Sequence, residues 1–185
     1  MKKMQLSNES LSIRPFKHKD CKALYEAAHE SIEAISPWMT WCHKIFSLDD
    51  SEKCIKSSKK DWLNGSEYNF AIIDREDGAF LGVCGLTKID KDNRLANTAY
   101  WVRSSKVGRG IASSALGLLA QFAFEELKLN RIEIIPAIDN EASQRVATKA
   151  GAVKEGILRK RIVVGNKAYD GVMFSLVSYD LKLKH

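Results

Sequence analysis

The sequence predicts one α/β (α+β) domain, built on a mixed central sheet of about seven strands with about four helices. Three observations carry this. Three strand-like segments follow one another without a helix between them: "YNFAIID", "AFLGVCGLTKID" and "RLANTAYWVRS". At "VGRGIASSALGLL" the apolar spacing lengthens from about 2 residues to about 3.6, so a strand gives way to a helix. The chain has 185 residues, 45% hydrophobic and 28% charged, which suffices for one folded core. No linker, repeat or low-complexity tract divides it, so residues 1–185 read as one domain.

The elements follow in order. "LSIRPF" alternates and ends at Pro15-Phe16, a first strand. In "KDCKALYEAAHESIEAI", Asp20 is placed to cap a helix whose face carries Leu24, Ala27, Ala28, Ile32 and Ile35. Ser36-Pro37 ends it. "WMTWCHKIF" is aromatic for a connection, and a second helix runs from Ser47 to Asn64-Gly65. Asp77-Gly78 and "KDN" are the turns of an antiparallel meander. The helix after Gly110 buries Ile111, Ala115, Leu116, Leu119, Phe122 and Ala123, and ends at Leu129-Asn130. "RIEIIPAI" is a strand and "NEASQRVATKAG" a short helix. Two long strands joined at Gly165-Asn166 close the chain. The predicted order is β-α-α-β-β-β-α-β-α-β-β.

Composition excludes several classes. No apolar run approaches the roughly 20 residues of a membrane-spanning helix. The start, "MKKMQLSNES", has two lysines but no apolar segment behind them, so it does not read as a secretory signal, and the expected compartment is the cytoplasm. Cys21, Cys42, Cys54 and Cys84 contain no C-x-x-C pair, and His18, His29, His43 and His185 add no ligand spacing. Reduced thiols are expected, with no metal site. The net charge of +6 suits an anionic partner, but no nucleic-acid-binding motif is present.

The segment "YWVRSSKVGRGIASSA" is the chemically suggestive one. A strand that runs into a helix through glycines exposes the helix's first N–H groups, which have no partner inside the helix. The helix dipole favours an anion there, and Gly108 and Gly110 remove side chains that would keep a phosphate from the backbone. Arg109 adds positive charge. A tight turn alone would also use these glycines. The segment is neither a P-loop, since no Gly-Lys-Ser/Thr follows, nor a G-x-G-x-x-G fingerprint, since position 113 is Ser.

Together with "RIEIIPAIDNEASQRVATKAG" and "EGILRK…YDGVMFSL", this segment resembles the Gcn5-related N-acetyltransferase (GNAT) family. More narrowly it is similar to the RimJ/RimL branch, the ribosomal-protein N-terminal acetyltransferases, over about residues 11–183. The resemblance implies a GNAT fold, acetyl-CoA as cofactor, and an amine acceptor, most often a protein N-terminus. It also admits a homodimer. The pyrophosphate motif maps to Ser105, Lys106, Val107, Gly108, Arg109 and Gly110. Its first position is Ser rather than Gln or Arg, which puts phosphate binding on backbone N–H groups from Val107 through Ile111 to Ala112.

The resemblance implies that the backbone of Trp101, Val102 and Arg103 pairs with the pantetheine arm, with Val102 N–H as donor to the thioester carbonyl. It places Asn140 on the cofactor arm, although Asn before "EASQ" is also a good helix N-cap. Ser143 falls where the branch carries a serine near the cofactor sulfur. Many other family members use a tyrosine at the position that is Ala147 here. The acids that relatives carry as bases align with Asn97 and Ile162, which cannot act; water, Glu30 or Glu33 remain. Lys154, Arg159, Lys160 and Arg161 read as a solvated strand face or as a patch for an acidic protein. The alternatives to a protein N-terminus are a small amine, such as a polyamine or antibiotic, and a non-catalytic CoA-binding module.

Overall fold

The computed structural model describes residues 4–182; Lys2, Lys3, Leu183 and His185 lie outside the described residues. The chain runs β1 (Leu6–Ser7), β2 (Leu11–Pro15), α1 (Cys21–Glu30), α2 (Ile32–Ile35), α3 (Leu48–Asn64), β3 (Tyr68–Asp74), β4 (Phe80–Asp90) and β5 (Leu95–Val102). It continues through α4 (Ile111–Glu125), β6 (Arg131–Ile134), α5 (Glu141–Ala150), β7 (Val153–Val164), β8 (Lys167–Val177) and α6 (Ser178–Lys182). One mixed sheet takes all eight strands in the order β1-β2-β3-β4-β5-β6-β8-β7. The counts exceed expectation because β1, α2 and α6 are too short to leave a periodic pattern in sequence.

Apolar side chains fill both faces of the sheet. On one, Leu116, Leu119 and Phe122 of α4 pack with Ile13, Phe70, Ile72, Ile132 and Leu176. On the other, Leu24, Ala27 and Ala28 of α1 pack with Cys42, Phe46, Phe80 and Trp101. The expected hydrophobic faces of α1 and α4 are present, with Ile32 and Ile111 only partly covered.

Local chemistry explains most boundaries. Ser47 caps α3, its hydroxyl accepting from Asp50 N–H at 3.2 Å while Asp50 accepts back from Ser47 N–H at 2.9 Å. Asp20 does not cap α1: its carboxylate pairs with Arg14 at 2.7 Å and accepts Lys17 N–H at 2.7 Å. That buried pair outweighs a cap, since an unpartnered Arg14 guanidinium would be costly there. The first helix breaks at Ser31, before Pro37, and there the buried Ser31 hydroxyl accepts Ser104 N–H at 2.9 Å. α4 ends at Glu125, four residues short of Leu129; Leu129 N–H then turns back to Ala123 carbonyl at 3.0 Å. β6 ends at Ile134 rather than Ile138, since Pro136 has no N–H for the ladder. Its carbonyl still accepts from Val172 N–H at 2.9 Å.

Two irregularities position the site. β5 and β6 are parallel neighbours, but pair only from Leu95↔Arg131 to Asn97↔Glu133. Beyond that point they part, and β5 runs on to Val102 paired with β4 alone. At the joined end, Arg131 binds Glu155 through both terminal nitrogens, at 2.7 and 2.6 Å, and Glu133 through Nε at 3.0 Å. The Arg131 hydrogen bonds, with one from the Ser175 hydroxyl, hold the Glu155 carboxyl down to about 2. The second irregularity is in β7, where the register jumps between Leu158 and Ile162.

Candidate active site

The opening between β5 and β6 lies at the carboxyl ends of the strands, where open α/β sheets bind ligands. Gly82 of β4 sets one wall. A Cβ there would lie 2.2 Å from the Trp101 carbonyl oxygen and 2.9 Å from Val102 Cα, so only glycine allows so close a strand approach. Arg103 N–H donates to the Leu81 carbonyl at 2.9 Å, toward β4. Strand alternation then turns the Trp101 backbone to β4 as well, and Val102 N–H to the opposite, open edge.

This sharpens the three backbone assignments. Arg103 offers nothing from its backbone: its N–H goes to Leu81 and its carbonyl accepts Lys106 N–H at 3.0 Å. Its side chain is also engaged, with Nε on Glu30 at 3.0 Å. Trp101 packs its ring against Phe80 and Trp41 on the α1 face. Val102 is the residue of the three whose donor faces the opening.

After β5 a single turn of 3-10 helix, Ser104–Lys106, leads to Val107, Gly108, Arg109 and Gly110. Val107 N–H bonds back to Ser104 carbonyl at 3.4 Å, so the turn itself takes that donor. Gly108 and Gly110 have φ of 79° and 77°, the left-handed region that glycine enters without strain. Gly110 is the N-cap residue of α4, and no side chain caps this end. The Ser113 hydroxyl donates to Gly110 carbonyl at 2.9 Å instead. The N–H groups of Ile111 and Ala112 therefore stand at the positive end of a 15-residue helix. No atom lies within 4 Å of a Cβ built on Gly108. A Cβ on Gly110 would be 3.4 Å from Lys149 Nζ of α5. Lys149 and the exposed Arg109 thus put two cations beside an uncapped helix start, an arrangement suited to a diphosphate. The sequence held no local sign of Lys149, which comes from a helix 39 positions later in the chain.

α5 supplies the remaining groups. Asn140 is its N-cap, Oδ1 accepting Ser143 N–H at 3.0 Å. Ser143 Oγ lies 2.9 Å from the Tyr100 hydroxyl, which is also 3.1 Å from the Ser143 carbonyl. Burial pushes the Tyr100 phenol up to about 12, against the opposing effect of the Ser143 hydrogen bond. The sequence carries no local sign of this contact, since Tyr100 and Ser143 stand 43 positions apart. Ala147 is fully buried under α5 and offers no hydroxyl.

The proposed bases fare differently. Glu30 accepts from Arg103 Nε and from Ser105 N–H at 2.6 Å; the Arg103 hydrogen bond above all holds its carboxyl down to about 2. A carboxylate so well satisfied is a poor proton acceptor near neutral pH. Glu33 is exposed on α2. Cys42 is buried, its thiol pushed up by burial and directed at the Ala28 carbonyl, the setting of an unreactive thiol. All four cysteines are free thiols.

The "SPWMTW" segment touches both β5 and β8. Trp41 packs on Trp101 with ring centroids 5.7 Å apart, and Trp38 meets Tyr169 of β8 edge-on at 6.4 Å. The β7 irregularity places Arg159, Lys160 and Arg161 opposite Asp170, whose carboxylate accepts Lys160 N–H at 2.9 Å. All three basic residues are exposed, as is Lys154 nearer the start of β7.

An opened parallel strand pair, a glycine turn into an uncapped helix and a hydroxyl pair lie close together at this end of the sheet. A family model described as acetyltransferase (GNAT) domain matches residues 10–153. The chain is 32% identical to "Putative ribosomal N-acetyltransferase YdaF" of Bacillus subtilis, over 92% of each chain. It is 27% identical to the ribosomal-protein-serine acetyltransferase of Escherichia coli, covering 89% of this chain and 90% of the other. The Microcin C7 self immunity acetyltransferase MccE, solved in complex with acetyl-CoA and AMP, superposes with a TM-score of 0.85 at 25% identity, covering 92% and 93%.

The chain belongs to the acetyltransferase (GNAT) family. It is an acetyl-CoA-dependent N-acetyltransferase. Among the described residues, no helix is long and apolar enough to cross a membrane.

Proposed function

We propose that the chain acetylates the N-terminal α-amine of a protein, with a ribosomal protein as the first candidate. The observation that carries this is the state of the bases. The family resemblance puts Asn97 and Ile162, neither of which can take up a proton, where a base would stand, and Glu30 is held as an ion-paired carboxylate. An α-amine of pKa roughly 8 is already partly neutral at pH 7, whereas a lysine at roughly 10.4 needs a base. The ribosomal names of two relatives support the same acceptor.

The residues fit acetyl-CoA on their own geometry. Ile111 and Ala112 N–H groups, with Arg109 and Lys149 beside them, would hold the diphosphate, and Gly108 and Gly110 would let it approach. The open edge of β5 at Val102 would hold the arm. When bound, the cofactor supplies an activated acetyl thioester. Val102 N–H would stabilise negative charge developing on the carbonyl oxygen. Ser143 Oγ–H would stabilise or protonate the departing thiolate. Asn140 fixes the first turn of α5 and so the backbone that carries Ser143.

The test is to supply acetyl-CoA with a peptide panel and small amines, follow thiol release, and locate the acetyl group by fragment mass. Acetyl on peptide α-amines is expected. Acetyl confined to lysine side chains, polyamines or antibiotics would overturn the acceptor. Thermal stabilisation by CoA without thiol release from any acceptor would favour a CoA-binding module. A Ser143→Ala variant with unchanged turnover would remove Ser143 from the site.

A further inference from the structure

Tyr100 sits on β5 two residues before Val102, so the two share a strand face and a backbone edge. Its hydroxyl bridges to α5 and touches two oxygens of one residue, Ser143 Oγ at 2.9 Å and the Ser143 carbonyl at 3.1 Å. A phenol has one proton. With that proton on the Ser143 carbonyl, the phenol oxygen accepts Ser143 Oγ–H, and the serine has no proton to give. With it on Ser143 Oγ, the serine proton is released for another acceptor. The two arrangements differ by one hydroxyl rotation each and need no movement of heavy atoms.

We infer that Tyr100 is a positioning residue for acetyl transfer, whose hydroxyl donates to Ser143 Oγ and so frees the Ser143 proton for the leaving thiolate. The inference rests on the proposed role of Ser143. The balance is simple: the N–C bond forms as the C–S bond breaks, and the bonding pair goes to sulfur. Net, one proton passes from the amine to the thiol. Tyr100 keeps its own proton throughout. Its partly buried setting suits that task, because the phenol stays neutral across the pH range in which an α-amine is reactive. The contact also ties β5 to α5 across the opening, so the strand bearing Val102 and the helix bearing Ser143 are set by one hydrogen-bonded pair.

The test compares Tyr100→Phe, Ser143→Ala and the double variant. Phenylalanine keeps the ring and its packing, and near-ultraviolet circular dichroism checks that the fold persists. Tyr100→Phe is expected to lower kcat roughly tenfold, with KM for acetyl-CoA within about twofold. Added to Ser143→Ala, it should cost nothing further, since its action passes through that hydroxyl. A readout independent of turnover is the thiol pKa of bound CoA, followed by thiolate absorbance. It should be lowest in the unmodified chain and rise by the same amount in both single variants.

Full loss with Ser143→Ala but none with Tyr100→Phe would overturn the inference and leave the role of Ser143 standing. Additive losses in the double variant, or an unmoved thiol pKa in Tyr100→Phe, would make Tyr100 a packing residue only. An unaffected Ser143→Ala enzyme would overturn both.

Discussion

Arg103 donates its Nε to Glu30 at 3.0 Å, joining the last turn of α1 to the end of β5. The same carboxylate accepts Ser105 N–H, and the neighbouring Ser31 hydroxyl accepts Ser104 N–H. Three consecutive residues of the approach to the glycine turn are therefore clamped to one helix end. The clamp uses the Arg103 and Glu30 side chains to fix the backbone that leads from β5 to the glycine turn.

The clamp gives a stability prediction with a definite sign. The Glu30 carboxyl is held at about 2, below its ordinary 4.5. Its stabilisation is fully present above pH 4.5 and is lost as pH falls toward 2. Glu30→Gln should lower Tm at pH 7 by about 2–4 °C, allowing for a charge-assisted hydrogen bond at a partly exposed site. The gap between variant and parent should close in scans carried from pH 5 down to pH 2. A gap that is constant with pH would show that the charge is not what matters.

Val102 and Arg103 should respond oppositely to proline. Val102 N–H faces the opening, so Val102→Pro removes a donor that the sheet does not use. The chain should fold, and kcat should fall by about 10²–10³ if that N–H serves the developing oxyanion. Arg103→Pro removes the N–H that donates to Leu81 and should cost folding stability. Circular dichroism and turnover measured side by side separate the two. A fully active Val102→Pro enzyme would dismiss the oxyanion assignment.

Gly110 has a conformation and a location that can be tested apart. Gly110→Asn tolerates the left-handed backbone and keeps the turn, whereas Gly110→Glu adds bulk and negative charge at the start of α4. Calorimetry with CoA should show affinity falling about 100-fold or more for Gly110→Glu, and less for Gly110→Asn. Equal affinity for Gly110→Glu and the parent would mean that the turn holds no phosphate.

Lys149→Ala should weaken CoA binding by roughly threefold to tenfold, the loss of one partly solvated charge near an anion. The difference should shrink as salt is raised from about 0.05 to 1 M. An effect indifferent to salt would point to altered packing of α5 instead.

Much of this molecule was legible from residues taken a few at a time. The glycine turn at 108–110, the caps at Ser47 and Asn140, the hairpin at Gly165-Asn166 and the buried face of α4 each depend on residues close together in the chain. Their backbone preferences and side-chain hydrogen bonds are satisfied locally, so the sequence states them without help. The parting of β5 from β6, the outward aim of Val102 N–H, and the contacts of Tyr100 with Ser143, Arg103 with Glu30 and Lys149 with Gly110 are of another kind. Tyr100 and Ser143 stand 43 positions apart, Arg103 and Glu30 73. Their meeting depends on strand register and helix docking, which the packing of the whole core sets. A run of alternating residues says that successive N–H groups face opposite edges. Which edge is open is decided only when β4 pairs on one side and β6 turns away on the other.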